Sequence, residues 1–343
     1  MSGLLLFSLT NPGHLFAVDR VLFNEHVTLE FSLEAPFQEL SRYQEDELEV
    51  PAVLRYKDVD GKLISLNLEI KPRGRSRLRN CRFPPLRLNF TRVDTAGTLF
   101  EGQHKLKLTT HCKSTSQNRN YIAREYQVYR AYNLATDYSF KVRWASITYI
   151  DTDPSNKAFT EPGFLVEEDK AAADRLGMKT YEANELLVNE LDQDQTTLMV
   201  VFQYLVGNID WSALKGPPGE TCCHNFKVLS HPGQSLSRIV LPYDFDQSSY
   251  VAADYAVHNE YHGVRPGEHP YKGFCELNTG IDNAVNRFNE IRPAWLGLIE
   301  TEPAGYPAQR RQVRYLEKGF ESLTDRKELE RNILDQCRTT TGN

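Results

Sequence analysis

The chain lacks any run of about 18 apolar residues, so no transmembrane helix is predicted. It lacks a CxxC pair despite its six cysteines, which removes the commonest zinc-holding spacing. Internal repeats and low-complexity stretches are absent, which argues against solenoids and repetitive disordered tracts. Positive charge is not in excess: 40 Lys and Arg against 46 Asp and Glu leave a net charge of −6. Such a chain has no bulk attraction for nucleic acid, which is not an expected partner.

What is present is ordinary globular material. The 343 residues are 40% hydrophobic and 25% charged, enough for a core and consistent with two domains or two lobes. One basic run stands out, Lys71 to Arg82, KPRGRSRLRNCR. It reads either as a solvated loop or strand edge, or as an anion site that grips phosphates. Near the start, Leu4–Leu9 is apolar and Leu15-Phe16-Ala17 resembles the approach to a cleavage point. No Lys or Arg precedes the run, and it is short against the roughly 7–15 residues of a signal core. It reads as the remnant of a signal peptide or as a first strand. The even cysteine count permits disulfides. The adjacent Cys222-Cys223 reads as two buried small residues, or as a pair of which one bridges to Cys275 in an oxidising compartment.

Period-two alternation predicts strands at Val27–Phe31, Ala52–Tyr56, Ile64–Ile70, Leu86–Phe90 and Lys105–Thr109, with Asp60-Gly61 as a hairpin turn. Helical spacing follows from Asn120 to Leu134, then strands at Arg143–Ile150 and Gly163–Val166. The second half reads as helical. Short and long helices are expected at Ala171–Leu176 and Gln195–Val206, the latter stopped by Gly207-Asn208. A small hairpin is expected from Phe226–Leu229 and Ile239–Leu241, and helices at Ile281–Arg292, Pro307–Leu323 and towards Cys337. Strands followed by helices define an α+β chain.

The chemistry concentrates after the Gln195 helix. Asp210 lies in GNIDWS, Asn225 in CCHNFKVL, and Asp244 and Asp246 in VLPYDFDQS. Each alone reads as a turn residue. Together, an Asp, an Asn before a hairpin and an Asp after it suit phosphoryl transfer: oxygen ligands hold divalent metal, and a separate Asp orients or deprotonates the acceptor hydroxyl. Alternation in Tyr243-Asp244-Phe245-Asp246 sends both carboxylates to one side, where they repel unless a cation sits between them. His224 reads as a packed, hydrogen-bonded loop histidine more readily than as a phosphate or metal contact, and Trp211 as a core anchor.

From Leu66 to Ser248 the chain resembles the CotH kinase-like family, in KPRGRSR, GQHKLKLTTHC, REYQVYR, GFLVEED, GNIDWS, CCHN and PYDFDQS. The resemblance implies a divergent two-lobed protein-kinase-like fold, with a β-rich N-lobe over 27–168 and a helical C-lobe over 169–343, after an N-terminal segment 1–26. It implies ATP with Mg²⁺ or Mn²⁺ and a protein Ser/Thr substrate. Gly-rich loop spacing is absent; the nearest glycine, Gly74, sits beside Arg73 in the arginine-rich run that would take over the phosphate grip. Asp210 would be the acceptor-side base, Asn225 and Asp244 metal ligands, and Asp246 a second acidic ligand. Lys105 or Lys107, on one strand face, would contact phosphate, with Lys107 paired to Glu125, the only acid between Asn120 and Leu134. Glu167 and the acids after it would lie at the adenine hinge or open the Ala171 helix. An active kinase, a pseudokinase or assembly protein, and a secreted module holding structural Ca²⁺ are the three functional expectations. An extracytoplasmic location is expected over a cytoplasmic one.

Overall fold

The alternating runs become strands that bury every second residue. The computed structural model describes residues 21–42, 49–74, 76–152, 157–234, 236–256 and 262–340. Leu4–Leu9 and Leu15-Phe16-Ala17 lie outside them. Strand β1 (Leu29–Ala35) turns Leu29, Phe31 and Leu33 inwards. Strands β2 (Val50–Lys57) and β3 (Leu63–Pro72) pair antiparallel across the Asp60-Gly61 turn, where Gly61 takes a φ of +78° that few other residues tolerate. Strands β4 (Leu86–Asn89) and β5 (Lys105–Thr109) continue the sheet. Helices α1 (Phe37–Arg42) and α2 (Ser76–Asn80) interrupt this run of strands. The 20-residue α3 (Ser116–Ala135) then leads to β6 (Val142–Asp151) and β7 (Ala158–Val166).

These seven strands close in the order β1-β2-β3-β4-β5-β7-β6. Closure comes from β1, which pairs parallel with β6 from Leu29↔Ala145 to Ala35↔Asp151. The kinase-like two-lobed fold expected from the motifs is therefore not the one formed: a closed, mixed barrel stands in place of an N-lobe sheet, joined to a helical C-terminal region. Alternation sets which face of each strand is apolar, but not which strands become neighbours, and a sheet joined through β1 and β6 has no free edge.

The wall formed by β6 and β7 is apolar on both faces. Ala145, Ile147, Tyr149 and Leu165 fill the barrel. Val142, Trp144, Phe164 and Val166 face the other way and join the helical core. Between wall and core lies α3, whose N-cap Thr115 accepts from the Asn118 N–H. It carries the buried polar side chains Arg124, Glu125, Gln127 and Arg130.

The helical region begins with α4 (Asp169–Arg175) and the short strand β8 (Lys179–Tyr181). Buried α5 (Gln193–Val206) is capped by Asp192 at its start and ends at left-handed Gly207, φ +63°. Strands β9 (Phe226–Ser230) and β10 (Ile239–Pro242) form the expected hairpin, with β8 on its edge. Helices α6 (Ile281–Thr301), α7 (Arg310–Thr324) and α8 (Arg326–Asn332) complete the chain. Among the described residues no helix is long and apolar enough to cross a membrane.

All six cysteines are bridged: Cys81–Cys112, Cys222–Cys223 and Cys275–Cys337. Neither sequence reading of the adjacent pair holds, because it bridges to itself and Cys275 finds Cys337 on the C-terminal segment.

Candidate functional site

Hairpin register assembles the polar cluster. Pro242 pairs with Phe226, and the Tyr243 N–H continues the ladder to the Asn225 carbonyl at 3.1 Å. Asn225 and Asp244 therefore flank the base of one hairpin. Both take left-handed backbone, φ +57° and +62°, which Asn and Asp adopt more readily than other side-chain-bearing residues. His224, just before Asn225, forms an isolated bridge with Ser212 through paired backbone bonds. That bridge brings Asp210 beside Asn225.

Asp210 is tightly held. Its N–H donates to Asn208 Oδ1 at 3.0 Å, and the Trp211 indole donates to the Asn208 carbonyl at 2.9 Å. Asn225 Nδ2 donates to the Asp210 carbonyl at 2.6 Å and to its Oδ2 at 3.2 Å. His224 Nε2 lies 2.8 Å from Oδ1, so the hydrogen-bonded loop histidine expected here has the expected base as its partner. Beneath the loop, Lys272 donates to the carbonyls of Ile209 and Trp211 at 2.9 and 2.5 Å. Burial lowers its pKa to about 8.

Asp244 and Asp246 do share one side, and the cation between them is Arg77. Its Nε donates to Asp246 Oδ2 at 2.9 Å, and its Nη2 donates to Glu125 Oε2 at 2.5 Å. Asp244 Oδ1 lies 3.7 Å away. Phe245, between the two acids, is fully buried and meets the Tyr129 ring edge to face at 4.9 Å. The Tyr129 hydroxyl accepts the Asp244 N–H at 2.8 Å. Burial pushes Glu125 up to about 8 and Asp246 up to about 6; Arg77 opposes this, and neighbouring carboxylates reinforce it. Asp244 and Asp210 are among the charges felt at Asp246.

The expected Lys107–Glu125 pair is not made. Glu125 goes to Arg77, and Lys107 goes to Asp169 at 2.6 Å. Lys227, on β9, reaches the same Asp169 at 3.2 Å. Burial would raise Asp169, but the two ammonium groups hold it down at about 2. Lys107 also sits over the rings of Tyr243 and Phe140, at 4.8 and 5.1 Å. Burial lowers its pKa, with Asp169 opposing and Arg73 adding to the fall, so Arg73 is close enough to act on the same spot. Lys105, two residues earlier on the strand, acts in turn on Glu168. Glu167 is brought elsewhere. Its carboxylate takes two bonds from Arg175 at 2.9 Å and one from the Lys141 N–H at 3.1 Å, while its own N–H donates to the Lys141 carbonyl. Glu168 and Asp169 open α4, as the second sequence reading had it.

The sequence thus marked Asp210, Asn225, Asp244 and Asp246, which converge. It missed Arg77, Asp169, Lys227 and Tyr129. The signal for Arg77 was the basic run itself, read at Arg73 instead of four residues on. Asp169 was visible in the Glu167-Glu168-Asp169 run.

Asp210, Asn225, Asp244 and Asp246 carry oxygen donors, the ligand type that hard divalent cations take. Asp210 and Asp244 both act on Asp246, and Arg77 is paired with Asp244 and Asp246. Asn225 spends its Nδ2 on Asp210, and among the described residues no donor is bonded to its Oδ1. Among the described residues no cluster of three His, Cys, Asp or Glu stands ready to hold a metal ion. Compared with known proteins, the chain matches no family model and no curated protein sequence.

Proposed function

We propose that this protein is an ATP- and divalent-metal-dependent phosphotransferase acting on Ser or Thr of a protein, in line with its motif resemblance to the CotH kinase-like family, though on a different architecture. The observation that carries the reading is a division of charge where the barrel wall faces the β9–β10 hairpin. Around Arg77 one cation meets three carboxylates, Glu125, Asp244 and Asp246. Around Asp169 one carboxylate meets two ammonium groups, Lys107 and Lys227, with Arg73 nearby. The first cluster is short of positive charge and the second short of negative charge. A nucleotide triphosphate with its metal supplies both.

In this reading Lys107 and Lys227 bind phosphate oxygens, with Arg73 and Lys105 at the margin. Asn225, Asp244 and Asp246 would hold Mg²⁺ or Mn²⁺, which when bound neutralises charge on the phosphoryl group. Arg77 fixes the positions of Glu125 and Asp246. Asp210, oriented by Asn225 and His224, accepts the proton of the acceptor hydroxyl as that oxygen bonds to the γ-phosphorus and ADP departs. Three disulfides are the kind of feature that persists in oxidising compartments, which supports an extracytoplasmic location.

The test is thermal unfolding with ATP and Mn²⁺ or Mg²⁺, together and singly, for the native chain and Asp244→Asn. Asn tolerates the left-handed backbone, so the variant isolates charge. A ligand at a hundredfold excess over Kd adds about 2.7 kcal/mol to folded-state stability. The expected result is a shift that needs nucleotide and metal together and is lost in Asp244→Asn, followed by phosphate on a protein acceptor by mass spectrometry. A shift without transfer points to a pseudokinase. A shift from Ca²⁺ with no nucleotide effect overturns the proposal in favour of a structural calcium module.

A further inference from the structure

Three hollows adjoin one another on the face beyond Asp246, of about 370, 370 and 190 Å³, and Arg311 lines all three. They run between the 247–253 segment, the Arg265–Glu268 turn, the first turns of α3 and the outer side of α7. The groove is anchored to the proposed catalytic loop. The Ser249 N–H donates to the Gly207 carbonyl at 3.0 Å, and Gly207 is three residues before Asp210. The Tyr315 hydroxyl, from α7, lies against Gly207 beside Ser249.

The chain is acidic overall, yet this groove is not. Arg265, Arg311, Arg314 and Lys318 line it and are exposed. Among the described residues none of the four has a carboxylate within ion-pair distance of its side chain; Lys318 donates to the Gly267 carbonyl. Among the described residues the one acid in the lining, Glu268, accepts the Arg265 backbone N–H. At the far hollow, Arg124 is only 8% exposed and is held by neutral groups, the Val251 carbonyl and Gln309 Oε1. A buried guanidinium normally has an anionic partner. Among the described residues the two rings in the lining, Tyr121 and Tyr315, are themselves buried and offer no platform for stacking bases.

We infer that this groove is the acceptor-substrate channel, and that it takes an extended, carboxylate-rich peptide segment next to the Ser or Thr to be modified. The inference rests on the phosphotransferase reading for the word substrate, and on charge complementarity for the peptide. Forked guanidinium groups pair with carboxylates two bonds at a time, and successive hollows suit successive side chains of an extended chain.

The experiment is fluorescence anisotropy of the full chain with a labelled peptide carrying one Ser in a Glu-rich tract, with the same peptide carrying Gln for Glu, and with a single-stranded oligonucleotide. The double variant Arg311→Glu/Arg314→Glu changes exposed positions on α7. The Glu peptide is expected to bind at least about tenfold more tightly than the Gln peptide, and to lose about tenfold or more in the double variant and on adding salt. Equal binding of the two peptides, indifference to the double variant, or tighter binding of the oligonucleotide overturns the inference. The stabilisation by ATP and metal should survive in the double variant. If that stabilisation is absent even in the native chain while the Glu peptide still binds as described, the phosphotransferase reading fails and the acidic-peptide groove stands.

Discussion

Replacing Arg77 by Met should destabilise the fold by about 3–5 kcal/mol, because it strips buried Asp246 of its cation and buried Glu125 of its hydrogen-bond donor. Arg77 is 6% exposed and Glu125 2%, so water cannot take over the lost bonds. The bonds themselves, 2.5 Å to Glu125 and 2.9 Å to Asp246, use two different nitrogens of one guanidinium, Nη2 and Nε. A lysine offers a single point charge, so Arg77→Lys should recover only part of the loss. Glu125→Gln should cost far less, within about 1 kcal/mol, since burial already raises Glu125 so that the neutral form is favoured. The double variant should then be more stable than the sum of its parts by about 1–3 kcal/mol. Urea unfolding of the native chain, both single variants and the double variant at pH 7 gives the cycle. Its pH dependence has a fixed sign. The folded-state affinity of Glu125 for a proton is raised, from the ordinary 4.5 to about 8. The folded chain therefore holds more protons than the unfolded chain across that window, and the stability contributed by this group falls as pH rises through it. Without Arg77 the affinity rises further, so the Arg77→Met deficit should shrink on acidification. A loss below about 1 kcal/mol, or strictly additive variants, refutes the ionic account of this cluster.

Two histidines predict an acid limb of opposite sign. Burial holds His111 and His269 down at about 4, so the unfolded chain takes up protons between 6.5 and 4 that the folded chain does not, and stability should fall as pH falls through that window. His111→Phe puts an uncharged ring among Phe83, Tyr149 and Phe159 and should flatten part of the limb in urea titrations. Gly207→Ala should lower stability by about 2 kcal/mol or more, since the residue is left-handed at φ +63° and its Cβ would strike the Tyr315 hydroxyl and Ser249. The melting temperature reads that loss directly, and an unchanged value refutes the close approach.

Most elements were legible because their signals are local. Alternation found β2 through β6 to within a residue or two, and the Gly207 stop of α5 was visible as a glycine after a buried run. Helix α6 runs on past Pro293, where the sequence reading ended it, because Trp295, Leu298 and Ile299 bury its last turns in the helical core. Strand β8 is three residues with no buried side, so it carried no pattern to read. Barrel closure was illegible for a different reason. The β1–β6 pairing joins residues over a hundred positions apart, and nothing in either strand names its partner. Ion pairing failed in the same way. Residue types told that Lys107 and Glu125 needed opposite charges, but Arg77, carried in by the short α2, and Asp169, at the start of α4, were as eligible as each other's partners.

The Tyr-Asp-Phe-Asp run is what ties the two charge clusters into one site. Phe245 anchors it in the core against Tyr129, whose hydroxyl fixes the Asp244 backbone. Asp244 and Asp246 then face Arg77, while Tyr243 faces the other way, its ring beneath Lys107 at 4.8 Å and Lys227 at 5.9 Å. Consecutive residues thus touch the carboxylate-rich cluster and the ammonium-rich cluster. Neither imbalance can be relieved by the other, because each cation is already bonded to the acid nearest it, and Arg77 is fixed by two bonds a lysine could not make together. A ligand carrying separated charges of both signs can relieve both at once, and a free phosphate or a free metal ion can relieve only one. The proposed site therefore calls for nucleotide and metal jointly, and the linkage between them runs through the backbone from Tyr243 to Asp246.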